Sequence, residues 1–185
     1  MAVLIGKSRL LFLILALALM LRQAFGAVAP TEEQVKAVFV FNFSHFVDWP
    51  PTTFKTGTDP FVIAVLGNDD FGDRLEEVIQ GEQIDQHPLA VHRVHSIAEL
   101  NDAEILFIDR TQKVQLPQVM AALSHRGTLT VADWDRAAEQ GVMMQFVNEN
   151  NRIRLRINVE AARASGLTIS SKLLRPAEIV AASKD

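Results

Sequence analysis

The hydrophobic and polar positions of this chain change period along its length, and these changes predict its secondary structure. Short unbroken apolar runs are typical of strands buried on both faces, whereas apolar residues three and four apart are typical of amphipathic helices. By these patterns we expect helices over residues 31–48, 70–80, 114–125, 161–165 and 171–182, and strands over residues 61–67, 88–94, 104–109, 129–133, 142–147 and 153–159.

The order of these elements predicts the fold class. Strands and helices alternate over residues 61–133, which indicates an α/β fold with a mainly parallel sheet and helices on both faces, a Rossmann-like three-layer architecture. The polar residues 148–151 then separate two strand-like runs and predict an antiparallel hairpin added to the C-terminal side of that sheet. Because no internal repeat or low-complexity linker interrupts the sequence, we expect one domain over residues 27–185.

The first predicted helix is apolar around most of its circumference. Thr31 and Gln34 have the spacing of a capping box at its start. One stripe of the helix carries Val35, Val38, Asn42, Phe46 and Trp49; a second set, Phe39, Val40, Phe43 and Val47, broadens it. Since a single sheet face is not expected to bury so wide an apolar surface, we take Phe41 and His45 as candidate contacts to a partner or a second copy.

The first residues of the chain have the pattern of a secretory signal peptide. Lys7 and Arg9 precede an apolar run over residues 10–21 that is shorter than the ~20 residues of a membrane span, and small residues follow. We expect cleavage after Gly26, with Ala29 as the alternative. Removing residues 1–26 takes away three basic residues and no acidic one, which leaves 15 against 22 and a net charge of −7.

That balance and the absence of cysteine limit the function classes. An acidic chain is a poor general binder of nucleic acid. Zero cysteines exclude a thiol nucleophile, a disulfide framework, a thiol switch and lipoprotein anchoring of the exported chain. We therefore expect an exported, soluble protein whose stability comes from packing.

No motif in the sequence points to catalysis, to a cofactor or to a metal. The loop Gly67-Asn68-Asp69-Asp70-Phe71-Gly72 lacks the dinucleotide spacing, and its aspartates repel the phosphate that a helix N-terminus would bind. The five histidines form no metal-ligand motif, and no nucleophile elbow or S-x-x-K motif is present. A serine triad assembled in space remains open. We expect no catalytic, cofactor-binding or metal-binding residues.

A run of alternating arginines is the second candidate contact surface. Arg152, Arg154 and Arg156 share one face of the last long strand, with apolar residues on the other face. The pattern fits an ordinary solvated face, and it also fits a patch that binds an acidic partner. We include Arg175 with these three arginines as a candidate partner contact.

Several short motifs, in order along the chain, resemble the YfiR family. They are Val35-Lys36-Ala37, Phe41-Asn42-Phe43, Phe46-Val47-Asp48-Trp49-Pro50, Ile63-Ala64-Val65-Leu66-Gly67, Leu129-Thr130-Val131, Ile157-Asn158 and Ser170-Ser171-Lys172-Leu173-Leu174. The resemblance extends from about residue 35 to 180. Within the motifs, the side chains of Asn158 and of Ser170 or Ser171 suit helix N-caps, and Gly166 suits a helix C-terminus.

The resemblance implies a non-enzymatic periplasmic regulator. The type member of the family binds the periplasmic part of an inner-membrane diguanylate cyclase and keeps it inactive. An outer-membrane lipoprotein sequesters that member, which frees the cyclase and raises cyclic-di-GMP, and dimerisation is usual in the family. This sequence departs from the family in having no cysteine, and in Arg156, where we expect an acid in relatives. The alternative is a small-ligand sensor with its site at the C-terminal ends of the strands, near Asn68, Asp109 and Asp133. A periplasmic hydrolase is a third hypothesis.

Overall fold

An eight-stranded, mostly parallel sheet is the centre of the structure, a computed structural model that describes residues 29–54, 56–124 and 126–181. The predicted signal peptide, His125 and the end of the predicted last helix lie outside these residues. The helices are α1 Glu32–Phe46, α2 Asp69–Ile79, α3 Leu116–Leu123, α4 Val159–Ala164 and α5 Ser171–Leu174. The strands are β1 Val47–Asp48, β2 Phe61–Leu66, β3 Gln83–Ile84, β4 His87–Val94, β5 Ile105–Ile108, β6 Leu129–Ala132, β7 Met144–Glu149, β8 Arg152–Ile157, β9 Thr168–Ile169 and β10 Glu178–Ile179.

The strand order across the sheet is β10-β8-β7-β6-β5-β2-β4-β3. Strands β4, β2, β5, β6 and β7 are parallel, while β8 runs antiparallel to β7 and β3 antiparallel to β4. Strands β1 and β9 form a separate antiparallel pair. Two 3₁₀ segments, Ile97–Glu99 and Arg110–Gln115, complete the connections between the described strands.

Alternate residues of the sheet enter two hydrophobic cores. Ile63 and Val65 of β2 face the larger core, which α1 and α2 cover, whereas Ala64 and Leu66 face the smaller core, which α3 covers. All six residues of β2 are buried, as the unbroken apolar run predicts for a strand with both faces covered. The predicted α/β three-layer architecture, with helices on both faces, is confirmed.

Helix α1 begins as predicted, and the stripe that it buries contains Ala37, Val40 and Phe43. Thr31 accepts a hydrogen bond from the Gln34 amide, and the Gln34 side chain accepts one from the Thr31 amide, so the capping box forms. The residues buried along α1 are Lys36, Ala37, Val40, Phe43 and Ser44. The sequence left open which apolar stripe of α1 faces the core. Phe43, of the second set, stacks on Phe146 of β7, whereas Val38, of the first stripe, points outward and is 46% exposed.

The C-terminal hairpin is confirmed. Asn150 and Asn151 connect β7 and β8 with φ of 53° and 61°, the left-handed values that a two-residue type I′ turn requires and that asparagine tolerates better than most residues. This turn sets the register, in which Glu149 lies opposite Arg152, and it thereby directs alternate β8 residues to opposite faces of the sheet.

The predicted last helix over residues 171–182 is wrong. Helix α5 ends at Leu174 because Pro176 has no N–H to continue it. The chain then forms β10, which pairs in parallel with the end of β8. Strand β8 is therefore the edge of the sheet only over its first four residues, among those that the structure describes.

Candidate functional site

Three arginines of β8 lie together on a sheet face that α3 does not cover. Ile153, Leu155 and Ile157 pack in or against the larger core. Since neighbouring residues of a strand point to opposite faces, Arg152, Arg154 and Arg156 point away from that core. The smaller core beneath α3 takes its strand residues from β2, β4, β5 and β6. We refer to the three side chains as the arginine face.

The members of the arginine face differ in how they are paired. Arg156 donates from Nε to Oε2 of Glu178 at 2.8 Å, and this hydrogen bond raises the pKa of Arg156 against a smaller effect of burial. Arg152 and Arg154 are exposed, and the described part of the chain provides neither side chain with an ion pair or hydrogen bond. Arg175, also exposed, is the C-cap residue that follows α5. The face therefore presents two arginines without an ion pair, and Glu149 lies opposite Arg152 in the register of the hairpin.

A groove of about 240 Å³ runs beside the arginine face at the edge of β8. Its lining residues are Glu149, Arg154, Leu155, Arg156, Pro176, Ala177 and Glu178. The chain segment before β10 forms one wall and the outer side of β8 forms the other. We refer to this feature as the edge groove.

The outward surface of α1 is the second predicted contact region. His45 is exposed, Phe41 is half-buried against the larger core, and their rings meet edge to face with centroids 5.2 Å apart. From Ala37 to Val47 the helix carries no Asp, Glu, Lys or Arg. The structure thus brings Phe41 to His45 and the arginines to one another, but it places the two groups on opposite faces of the sheet.

A buried ion-pair network connects α1 to the end of β6, and sequence reasoning missed it. Lys36 Nζ, whose side chain is 3% exposed, lies 2.8 Å from Asp133 Oδ2, 2.8 Å from Glu32 Oε1 and 3.1 Å from Glu33 Oε1. Arg110 donates to Asp133 at 3.3 Å. Burial opposes the charge of Lys36, but the three carboxylates outweigh burial and raise its pKa. The position of a lysine among apolar helix residues was the available signal.

Hydrogen bonds join the strand ends at which the ligand hypothesis places its site. Asn68 donates to Asp109 across the point where the strand order reverses, at 3.1 Å, and Thr111 donates to the other oxygen of Asp109. Burial raises the pKa of Asp109, and these hydrogen bonds lower it by more. The Gln112 side chain lies so close to Gly67 that a Cβ there would clash.

A second cavity, of about 200 Å³, lies at the opposite end of the sheet. It is lined by Asp102, Glu104, Arg126 and Thr128, together with loop residues near Pro50. Glu104 is buried and accepts a hydrogen bond from the Val62 amide at 2.6 Å. Burial raises the pKa of Glu104 in spite of that bond.

The described residues contain neither a metal-ligand cluster nor a membrane-spanning helix. No group of three or more histidine, cysteine or acidic side chains there is arranged to hold a metal ion. No helix in the same part of the chain is long and apolar enough to cross a membrane.

Comparison with known families decides the assignment that the geometry leaves open. The model of the YfiR/HmsC-like family matches residues 33–178. The chain belongs to the YfiR/HmsC-like family. The matched residues include α1 from its second residue, strands β2 to β8, the first residue of β10 and the arginine face.

The motifs that carry the family resemblance stabilise the fold. Trp49 donates from Nε1 to the Glu104 carbonyl at 3.2 Å and packs edge to face on Phe61. Asn158, fully buried, accepts from the Ala161 amide and donates to the Ala138 carbonyl, both at 2.9 Å. The predicted cap at Asn158 is confirmed, as is the one from Ser170. The residues of these motifs therefore stabilise the fold of the family. None of the three arginines of the arginine face belongs to a motif, although Ile157-Asn158 follows Arg156 directly.

Other comparisons are weaker. A search of curated proteins found no match. One similar solved structure is the ABC domain in complex with L-Trp from Streptococcus pneumonia, with 13% sequence identity and a TM-score of 0.48. The match covers 64% of this chain and 55% of that one.

Proposed function

We propose that this member of the YfiR/HmsC-like family is a periplasmic, non-enzymatic regulator that binds and inhibits an inner-membrane signalling protein, a diguanylate cyclase. It reaches the periplasm through a signal peptide over residues 1–26, and residues 27–185 form its single domain. Family membership supports the regulatory class. An outer-membrane lipoprotein that sequesters the regulator is part of the same proposal.

The observation that carries the proposal is that Arg152 and Arg154 are exposed and have no ion pair among the described residues. The mature chain has an expected net charge of −7, and yet these two cations lie side by side on an uncovered sheet face. Like charges so placed repel one another. A complementary acidic surface on a partner removes that repulsion and directs the encounter. The arginine face is therefore the proposed contact for the membrane protein.

The test is a crosslinking pull-down of the tagged mature protein from its native cell envelope, followed by mass spectrometry. We expect an inner-membrane cyclase to be recovered. A variant with Arg152→Ala and Arg154→Ala should recover about tenfold less of it, because arginines at interfaces often contribute more than 1 kcal/mol each. Cyclic-di-GMP in cells that express this variant should rise.

The matched control is Arg163→Ala, which removes an exposed arginine from helix α4. It should leave both recovery and cyclic-di-GMP unchanged. Equal losses in the control and in the double variant would show a general effect of charge, and full recovery with the double variant would exclude the arginine face as the contact.

We also propose that the protein forms a homodimer through the outward surface of α1. The uncharged stretch from Ala37 to Val47 supports this contact. Because Phe41 also packs on the core, Val38 is the better position for a test. Val38→Glu should convert a dimer to a monomer in analytical ultracentrifugation. Val114→Glu, on a valine that is 87% exposed, is the control and should leave the dimer intact.

A further inference from the structure

The outer edge of β8 has strand-pairing groups that no described strand uses. Strand β10 pairs only with Arg156 and Ile157. Residues 152–155 pair with β7 on their inner side, and on their outer side only the Leu155 carbonyl is used by a described strand, β10. An open edge of this kind is a template on which an extended segment can add as a further strand.

The hydrogen bonds near the end of β8 show which backbone N–H and C=O groups point away from β7, toward the outer edge of the sheet. The Asn158 amide donates inward to the Met143 carbonyl, and the Ile157 carbonyl accepts outward from the Val180 amide. Because the direction alternates along a strand, the N–H and C=O groups of Ile153 and Leu155 also point outward. Those of Arg152 and Arg154 point to β7. The pairing of Glu178 with Arg156 occupies the Leu155 C=O, so the open edge offers both groups of Ile153 and the N–H of Leu155.

The chemistry around this edge favours an acidic occupant. The side chains of Arg152 and Arg154 flank the outward-facing backbone groups, and the edge groove lies alongside them. Nearby acids are Glu149, Glu178 and Glu139, of which Glu178 is paired with Arg156 and Glu139 with Arg136. The excess charge at the edge is therefore positive.

The same charge disfavours a second copy of this chain as the occupant. Two β8 edges paired around a two-fold axis would bring the arginines of both copies close together. Like charges across a strand pair destabilise it. The edge is accordingly protected against self-association and open to a segment of opposite charge.

We infer that the partner of this protein adds an extended acidic segment as a strand against residues 152–155. Backbone hydrogen bonds to Ile153 and Leu155 hold the segment, and Arg152 and Arg154 select its acidic side chains. This inference rests on the proposed function, and it specifies the mode of binding and the chemistry of the segment.

The test is hydrogen exchange, read by mass spectrometry at single-residue resolution, on the mature protein alone and bound to the purified partner that the pull-down recovers. The amides of Ile153 and Leu155 should exchange about tenfold or more slowly in the complex. The Arg154 amide, which is bonded to β7 in both states, should change much less and is the internal control.

The outcomes distinguish a failure of this inference from a failure of the proposed function. A complex in which the Ile153 and Leu155 amides stay unprotected overturns strand addition and leaves the regulator proposal in place. Failure to recover any membrane partner overturns both. If the double arginine variant self-associates while its partner recovery is unchanged, the arginines only protect the edge, and the inference is wrong.

Discussion

Lys36 and Arg154 carry the same charge in opposite surroundings. The Lys36 ammonium is buried within hydrogen-bond distance of three carboxylates, whereas the Arg154 guanidinium is exposed and has no ion pair among the described residues. Lys36 joins helix α1 to the end of β6, and Arg154 faces solvent beside an open strand edge. The difference separates a cation that stabilises this fold from one that is available to a partner.

The energetic consequences of the two arrangements also differ. Removing one member of a buried ion pair leaves the other charged and without compensation, which is strongly destabilising. An exposed cation has little effect on stability, because water solvates it whether or not the chain is folded. Substitution of Lys36 should therefore lower the free energy of unfolding, whereas substitution of Arg154 should leave it unchanged. Substitution of Arg154 should instead lower the recovery of the partner.

The largest expected effect follows from Lys36→Ala. Asp133, whose side chain is 7% exposed and whose Oδ1 has no hydrogen-bond partner, would lose its closest cation. We expect the free energy of unfolding in urea to fall by about 3–5 kcal/mol. A variant with Lys36→Met and Asp133→Leu should recover most of this loss, since an apolar pair can replace a buried ion pair.

The control for Lys36 is Arg74→Ala, which removes the exposed pair between Arg74 and Glu77. Its effect should be about 0–1 kcal/mol. A loss of that same size for Lys36→Ala would contradict the stabilising role of the buried network.

A smaller effect is expected from Glu104→Gln, and it depends on pH. Burial raises the pKa of Glu104 in the folded protein, so the folded state binds this proton more tightly than the unfolded state does. The contribution of Glu104 to stability is then greatest below its unfolded pKa and decreases as pH rises towards the folded pKa. Glu104→Gln removes this decrease and still accepts the hydrogen bond from Val62.

Urea unfolding of the wild type and the variant, repeated from acid to neutral pH, measures the change. The difference between the two free energies should shift in favour of the variant as pH rises. A difference that stays constant with pH would show that Glu104 has the same pKa in both states. Glu82→Gln, an exposed change, is the control.

Arg156→Ala should have a small effect on stability. Its partner Glu178 is more than half exposed, so the pair belongs to the exposed class, and the loss in urea should be about 0–1 kcal/mol. A loss above about 2 kcal/mol would instead show that the pair holds β10 against β8. Faster hydrogen exchange of the Val180 amide in the variant would identify that case, because this amide donates to the Ile157 carbonyl of β8.

The smallest effect on stability is expected from Arg152→Ala and Arg154→Ala. Neither side chain has a described partner, so each change should stay within about ±0.5 kcal/mol. Thermal and urea unfolding of the mature protein measure it. A destabilisation above about 1 kcal/mol for either variant would show an intramolecular role and weaken its assignment to the partner contact.

The sequence predicted the parallel sheet, the hairpin and the helix N-caps at Thr31, Asn158 and Ser170, because each depends on a local signal. The unbroken apolar run of β2, the asparagines of the turn and the Thr31–Gln34 spacing all act within a few residues. The arginine face was predicted for the same reason, since a period of two follows directly from strand geometry.

Other features were not predicted, because they depend on contacts between distant residues. Asp133 lies 97 residues from Lys36, and the pairing of β10 with β8 depends on where the chain turns after Pro176. The buried stripe of α1 is set by Phe146 on β7, which sequence periodicity does not include. Helical period alone does not choose among several apolar stripes on one helix.

The most direct test of the account is the pull-down from the native envelope with three proteins side by side: the wild type, the double variant with Arg152→Ala and Arg154→Ala, and the Arg163→Ala control. We predict that an inner-membrane cyclase is recovered with the wild type and the control and is reduced about tenfold with the double variant. Equal recovery with all three, from proteins that are equally folded and abundant, would contradict the claim that the arginine face binds the membrane partner.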